Sequence, residues 1–372
     1  MRFLRYFLQG IKQASTTIGL VVALSSAYAD PRSTDQLIDS ADAVIVGGTL
    51  SGQQTGNSVV LTLSVEKSIK GSIPSGSVLD ISWSCQWKAN QDLKGLHGLW
   101  FLKALGANHW TILSPTQQRV PFQLAYYPTN KGVASMSLAA SMNAATSSDF
   151  VAAELGSALQ AYTDPTQLSH LSQGLLSLGQ SGVSERLYNQ LRTSSDPELK
   201  VIGLAGLIHA GDVTALSEMA RSMDLLPRLR ARTHAITAVL ACRAGDSVTA
   251  NALGQLTTAT DLTMQLAAAG ALAQIHTRET LPYLAALLTS PDRRAREYAA
   301  QGMSRFVANL PIATAKNTPN GEYLRPQGPA PYRTRDTDRY SMSTKRLQDV
   351  DENSYLQFWR TWWASLRSEL TK

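Results

Sequence analysis

One spacing recurs along the middle of this chain and limits its fold more than any other feature. Asp164 is followed ten residues later by Gly174-Leu175, Asp196 by Gly206-Leu207, Asp261 by Ala271-Leu272 and Asp292 by Gly302-Met303. A weaker unit sets Arg228 ten residues before Ala238-Val239. Successive small-large pairs lie 32, 32, 33 and 31 residues apart. A fixed period of this length marks stacked units, each of which buries its apolar side only against its neighbours. The offset has a mechanical sense. Asp accepts hydrogen bonds from the free amides of a helix N-terminus, and in Asp164-Pro165 and Asp196-Pro197 the proline suits the first helical position. Ten residues on, Gly or Ala admits a neighbouring helix while Leu or Met fills the core. Second helices are predicted over Val183–Leu191, Val213–Met219, Val248–Leu256 and Thr280–Leu288. Five units over residues 149–308, the fifth without an obvious second helix, are expected to stack into a right-handed α-α superhelix.

This block resembles short HEAT repeats of the phycobilisome-lyase type, most clearly in Leu266-Ala267-Ala268-Ala269-Gly270-Ala271-Leu272 and Pro282-Tyr283-Leu284-Ala285-Ala286-Leu287-Leu288. The resemblance implies a solenoid; bilin attachment, a cytoplasmic chemistry in that family, conflicts with the export signal described below. Asp292 follows Ser290-Pro291 instead of preceding the proline, and the third unit lacks a capping Asp. In a HEAT-like stack the second helices line the concave side. Glu185, Asn189, Glu218, Asn251, Gln255 and Tyr283 are therefore the candidate contacts for a protein or peptide partner, weighed against a merely solvated face. His209, His234 and His276 fall at unequal places in their repeats, so no metal ladder arises, and no cofactor is expected. Arg293, Arg294 and Arg296 read as a solvated basic face.

Before the helical block, residues 30–135 carry short alternating or β-branched runs at Ala43–Leu50, Val59–Val65, Val78–Trp83, Leu99–Leu105 and Trp110–Leu113. Gly, Pro and Ser between them, including Gly52 to Gly56, read as turns, and five short strands suggest a small barrel or sandwich. The pieces Ala41-Asp42-Ala43-Val44-Ile45-Val46-Gly47, Val65-Glu66-Lys67-Ser68-Ile69-Lys70-Gly71 and Gly98-Leu99-Trp100-Phe101-Leu102 resemble the OB-like barrel of the netrin and metalloproteinase-inhibitor superfamily. That family chelates a metal through an N-terminal cysteine. Here no cysteine precedes Cys85, so the fold is expected without the activity.

Met1 to Lys12 is basic without an acidic residue, Ile18 to Leu24 is apolar, and Ala27-Tyr28-Ala29 places small residues before Asp30. This is the layout of a cleavable secretory signal over residues 1–29, which sends the mature chain to a bacterial periplasm or the medium. Arg2, Arg5 and Lys12 supply half of the net charge of +6, so no folded segment concentrates the basic charge that nucleic acid requires. With 44% hydrophobic and 17% charged residues the chain is not a disordered polyelectrolyte, and no apolar run after the signal reaches a membrane-spanning length. Two cysteines, Cys85 and Cys242, cannot staple a scaffold and are expected as buried thiols.

Residues 309–354 are a Pro-rich linker or ordered loop. Residues 355–372 form an aromatic helix whose stripe of Tyr355, Trp359, Trp362, Trp363, Leu366 and Leu370 must dock, most simply on the open end of the solenoid. The whole is expected as a multidomain β and α protein that works as an exported, non-catalytic binding scaffold. Two rivals are carried forward. One is an exported hydrolase with a site between the β module and the first repeats, using His97 or His109 with carboxylates such as Asp80 or Asp92; Cys85, at a strand end between two tryptophans, pairs with either histidine only as a nucleophile lacking the electropositive site it needs, and is read as packing. The other is a carbohydrate binder presenting Trp83, Trp87, Trp100 and Trp110.

Overall fold

A computed structural model describes residues 33–106, 108–114, 122–129, 143–161, 164–178, 182–222, 231–242, 246–310, 312–313, 323–324, 330–342 and 345–370. The expected signal at 1–29 and the repeat start at Arg228 lie outside them. The fold is a β-rich module followed by helices, and it divides into two compact units, Met1–Leu187 and Tyr188–Lys372.

In the first unit a short helix α1 (Thr34–Ser40), opened by a Ser33 and Gln36 capping box, leads into the sheet. The strands are β1 (Ala43–Lys70), β2 (Val78–Asp92), β3 (His97–Ala104), β4 (His109–Ile112) and β5 (Tyr127–Pro128). The runs expected as two strands, Ala43–Leu50 and Val59–Val65, belong to one strand of 28 residues, and Gly52 to Gly56 lie inside it instead of forming a turn. Register explains this. Ala43 to Gly48 pair with Leu102 to His97, and Gln53 to Gly56 continue the same antiparallel register against Asp92 to Ala89. After a shift between Gly56 and Ser58, residues Ser58 to Ser64 pair with Ser84 to Val78. β1 is thus one side of a long two-stranded ribbon, and β2 with β3 is the other.

β4 then runs parallel to β2 at Asp80 and Ile81 and antiparallel to β3 at Leu102 to Ala104. The two ends of the β2-β3 side therefore point in opposite directions, so the ribbon must fold back on itself, and β4 closes the ring of pairings. At the fold-back Gly47 meets the backbone of Ser64 and Val65. A Cβ on Gly52 would come within 2.7 Å of Leu61, so neither position accepts a side chain. Leu61, Leu63 and Val65 of β1 face inward with Leu79, Ile81, Trp83 and Cys85 of β2, the alternation of a sheet with one buried face. Trp100 fills the centre, stacked on Tyr126 at 4.2 Å, and its indole N–H donates to the Gly47 carbonyl at 3.0 Å.

Helices α2 (Ser147–Ala161) and α3 (Pro165–Leu176) complete this unit. Lys67 of β1 pairs with Glu154 of α2 at 2.9 Å. Against α3 the joint is polar and closed to water. His170 Nε2 lies 2.9 Å from the Tyr126 carbonyl, and Thr34 Oγ1 donates to the Gly174 carbonyl at 2.8 Å while sitting 3.2 Å from the Tyr127 hydroxyl. Burial holds His170 down to about 4 and pushes Tyr127 up to about 12. Gly174, expected to admit a neighbouring helix, instead faces the Tyr127 ring of β5.

Helix α4 (Gly182–Arg192) crosses the division. The second unit continues with α5 (Pro197–His209), α6 (Val213–Arg221), α7 (Arg232–Leu240), α8 (Ser247–Leu256), α9 (Leu262–Ile275), α10 (Leu281–Leu287) and α11 (Arg293–Val307). The predicted Asp caps are present. Asp196 accepts from the Glu198 amide at 2.8 Å, Asp261 from Thr263 and Met264 at 2.9 and 3.0 Å, and Asp292 from Arg294 at 2.8 Å. Asp164 does the same for α3, accepting from Gln167 at 2.9 Å. Asp212 and Asp246 cap α6 and α8 in the same manner. The uncapped third unit borrows its acceptor: Glu198 of α5 takes the Ala231 amide at 2.7 Å.

Helix α5 packs on α7, α7 on α9 and α9 on α11, while α6 packs on α8 and α8 on the short turn Arg278–Thr280 that opens α10. The members of the first row are buried nearly all round, as in Val201 to Ile208 and Leu266 to Ala273. Within 309–354 the described parts include a two-residue strand pair, β6 (Ile312–Ala313) with β7 (Tyr323–Leu324), and helix α12 (Arg335–Arg339). The last helix, α13 (Glu352–Leu370), starts three residues before the expected 355 and packs on α10 and α11.

Candidate functional site

The six residues expected to meet a partner are distributed unequally. Asn251 and Gln255 lie four apart on the exposed side of α8, and the Tyr283 hydroxyl of α10 donates to Asn251 Oδ1 at 3.2 Å while its ring covers Gly254. These three form one polar patch on the second row. Glu218 of α6 is half-buried and already paired: Arg192 Nε reaches its Oε2 at 2.7 Å and Lys200 its Oε1 at 3.1 Å. Burial pushes that carboxyl up, but the two cations outweigh it and hold the group below its ordinary range. Glu185 and Asn189 are both exposed on α4.

The aromatic stripe of α13 docks, though not uniformly. Trp359 is fully buried and donates its indole N–H to the Tyr340 carbonyl at 3.1 Å. Trp362 is buried edge-on to Trp359, with Phe306 of α11 6.4 Å away, whereas Trp363 is only half-buried. Tyr355 is half-buried beside Tyr340 and Leu370 is buried. The basic cluster is solvated at Arg293 and Arg294, as expected, but its charges are paired and Arg296 is half-buried. Arg293 and Arg296 both bind Glu352 in the first turn of α13, and Arg294 pairs with Asp292. Sequence reasoning treated the arginines and the stripe separately because the pairing spans some 56 residues.

The hydrolase rival is not assembled as expected. Cys85 is buried among the core residues, away from water, whereas an active thiol sits in an accessible electropositive site. His97 does meet a carboxylate, but it is Glu66, 3.1 Å from Nε2, while Nδ1 lies 2.9 Å from the Thr129 carbonyl. Asp92 accepts from the Lys94 amide at 2.9 Å and so shapes a turn. His109 Nε2 lies 2.9 Å from Ser82 Oγ, a hydroxyl-imidazole pair on the exposed outer face of the sheet, with Asp80 as the register partner of His109. Acyl transfer also needs preorganised donors for the oxyanion and exclusion of water, which an open face does not provide. For sugar binding the tryptophans are misplaced: Trp83 and Trp100 are buried, Trp110 is half-buried, and Trp87 alone of the four is exposed.

A feature missed in the sequence is an open groove of about 650 Å³ along α13, floored by Phe358 and Tyr340 and edged by Asn353, Gln357, Arg360 and Thr361. Its signal was the four-residue spacing of Asn353, Gln357 and Thr361. Among the described residues no group of three or more potential metal ligands is found, and no helix is long and apolar enough to cross a membrane. Compared with family models, with curated proteins and with solved structures, the chain matches none.

Proposed function

We propose that this chain is an exported, non-catalytic binding protein whose helical block is a HEAT-like superhelix engaging a protein or peptide partner, with the β-rich module, an OB-like barrel, as a second contact surface. The observation that carries this is the two-row packing of α5 to α11 on a 31 to 33-residue period. Stacked layers of this kind leave a continuous face whose residues are spared from the core. Asn251, Gln255 and Tyr283 share that face, and their amide and hydroxyl groups suit hydrogen bonding to a polypeptide. The three-part layout of residues 1–29 supports export.

Crosslinking of the mature chain in its native envelope or secretion fraction tests this, with mass spectrometry of the products and of the chain's own N-terminus. A mature end at Asp30 and one recurrent protein partner, lost in an Asn251→Ala/Tyr283→Ala variant, is the expected result. Recovery of the chain alone across growth conditions overturns it.

A further inference from the structure

The groove along α13 has a chemistry that the rows of helices do not share. Asn353, Gln357 and Thr361 follow one another at four-residue intervals, and none of their side chains makes a hydrogen bond among the described residues. Four residues of helix advance about 6.0 Å, close to the roughly 6.6 Å that two residues of extended chain advance. An amide, an amide and a hydroxyl at that interval can therefore meet successive peptide groups on one edge of an extended strand.

Among the residues lining the groove only Arg360 is charged, and the neighbouring carboxylates are turned to other partners. Asp351 accepts from Ser354 Oγ at 2.6 Å, and Glu352 is bound by Arg293 and Arg296. Arg360 spends one N–H on the Leu288 carbonyl at 2.7 Å and has no carboxylate partner among the described residues. Its guanidinium is thus anchored and its charge unmet, the arrangement that favours a carboxylate. The rings below are a poor sugar platform. Tyr340 is stacked on Phe358 at 4.5 Å, which takes one face of each ring, and the Arg339 guanidinium lies over the Tyr340 ring at 5.4 Å. Phe358 also meets Trp359 edge-on at 5.1 Å.

We propose that this groove binds an extended peptide segment, its backbone running along Asn353, Gln357 and Thr361 and an acidic side chain of the peptide bonded to Arg360. The assignment rests on the reading of the chain as a binder of proteins or peptides and names a different place for the contact. Phage-displayed random dodecapeptides, selected on the intact chain, test it. Enriched sequences are then made as labelled, C-terminally amidated peptides and titrated by fluorescence anisotropy. Enriched peptides are expected to share Asp or Glu at a fixed place. Asn353→Ala/Gln357→Ala is expected to weaken binding at least tenfold. Arg360→Gln is expected to weaken it about tenfold and to erase the preference for the acidic peptide over its Asn or Gln counterpart. The thermal midpoint of each variant is checked against the parent, since these exposed positions carry little of the core.

Peptides that bind these variants as tightly as the parent overturn the groove. If the same peptides are lost instead in Asn251→Ala/Tyr283→Ala, the groove falls while the helix-row reading stands; if no peptide is enriched at all, the groove falls and the helix-row reading is decided by the crosslinking. Glycan binding that the α13 substitutions abolish also overturns the peptide assignment.

Discussion

Gly47 shows how much one position can decide. The backbone of Ser64 and Val65 occupies the place where its side chain would be, because the folded-back β1 passes over itself there. A neighbour made of backbone cannot rotate away, so Gly47→Ala should cost about 3 kcal/mol, the upper part of the range for overpacking. Gly76 is a useful contrast. It takes φ +84° in the β1-β2 turn with open space around it, and Gly76→Ala should cost only about 1 kcal/mol, the penalty of a left-handed backbone. Urea unfolding of both variants measures the difference; equal losses would mean that the crossing is not close-packed. From the sequence alone Gly47 looks like part of an ordinary short strand and Gly52 to Gly56 look like a turn, and neither reading shows the fold-back. Whether a glycine marks a turn or a close approach depends here on a part of the same strand up to 17 residues further along, which no local pattern reports.

At the scale of elements, helix starts were the most legible part of the molecule. An Asp and the amides it caps lie within three residues, and a proline beside it adds to the signal, so Asp164, Asp196, Asp261 and Asp292 could be read directly. The start of α7 could not be read in this way, because its acceptor, Glu198, comes from α5. The caps are not equivalent. Asp246 serves α8 alone and partly faces solvent, so Asp246→Ala should cost about 1 kcal/mol. Asp261 is buried and also holds the Arg232 guanidinium of α7, with Nε 2.6 Å from Oδ2. Burial raises its carboxyl, yet Arg232 and the amides of Met264 and Thr263 keep it below the ordinary range. Removing it leaves a half-buried cation unmatched, and Asp261→Ala should cost roughly 3 kcal/mol. Chemical unfolding of the two variants side by side checks that order. For α13 the aromatic stripe announced docking, whereas the spacing of Asn353, Gln357 and Thr361 on the same helix shows in the sequence only that they share a side, not that Tyr340 lies beside them.

For the molecule as a whole, acid is the condition that touches both units. His170 in the first unit and His234 in the second are each held down to about 4 by burial, with the charge of nearby His209 adding to the effect on His234. Above pH 6.5 these side chains are neutral whether the chain is folded or not, and they lend no pH dependence. Between pH 6.5 and 4 the unfolded chain takes up protons that the folded chain refuses, so stability falls as pH falls, by about 3 kcal/mol for each histidine. Below 4 the depressed carboxyls, Asp246, Asp261 and Asp292 among them, extend the loss. Unfolding free energies measured at steps from pH 8 to 4 should be level and then decline, and His170→Gln should flatten the decline of the first unit; a curve level down to pH 4 contradicts the burial of these rings. The division into a β-rich part and a helical part was visible in composition. The joint between His170, Tyr127 and Thr34 was not, since it gathers residues from three distant stretches.

The ring of strands has a weak link of known position. Long ladders join β1 to its two partners, but β4 is four residues long and meets β2 at only two residue pairs. It acts as the clasp of a bracelet. Parting β4 from β2 costs two pairs and leaves every rung of β1 in place, so that seam is where water would first reach the tryptophan-lined interior.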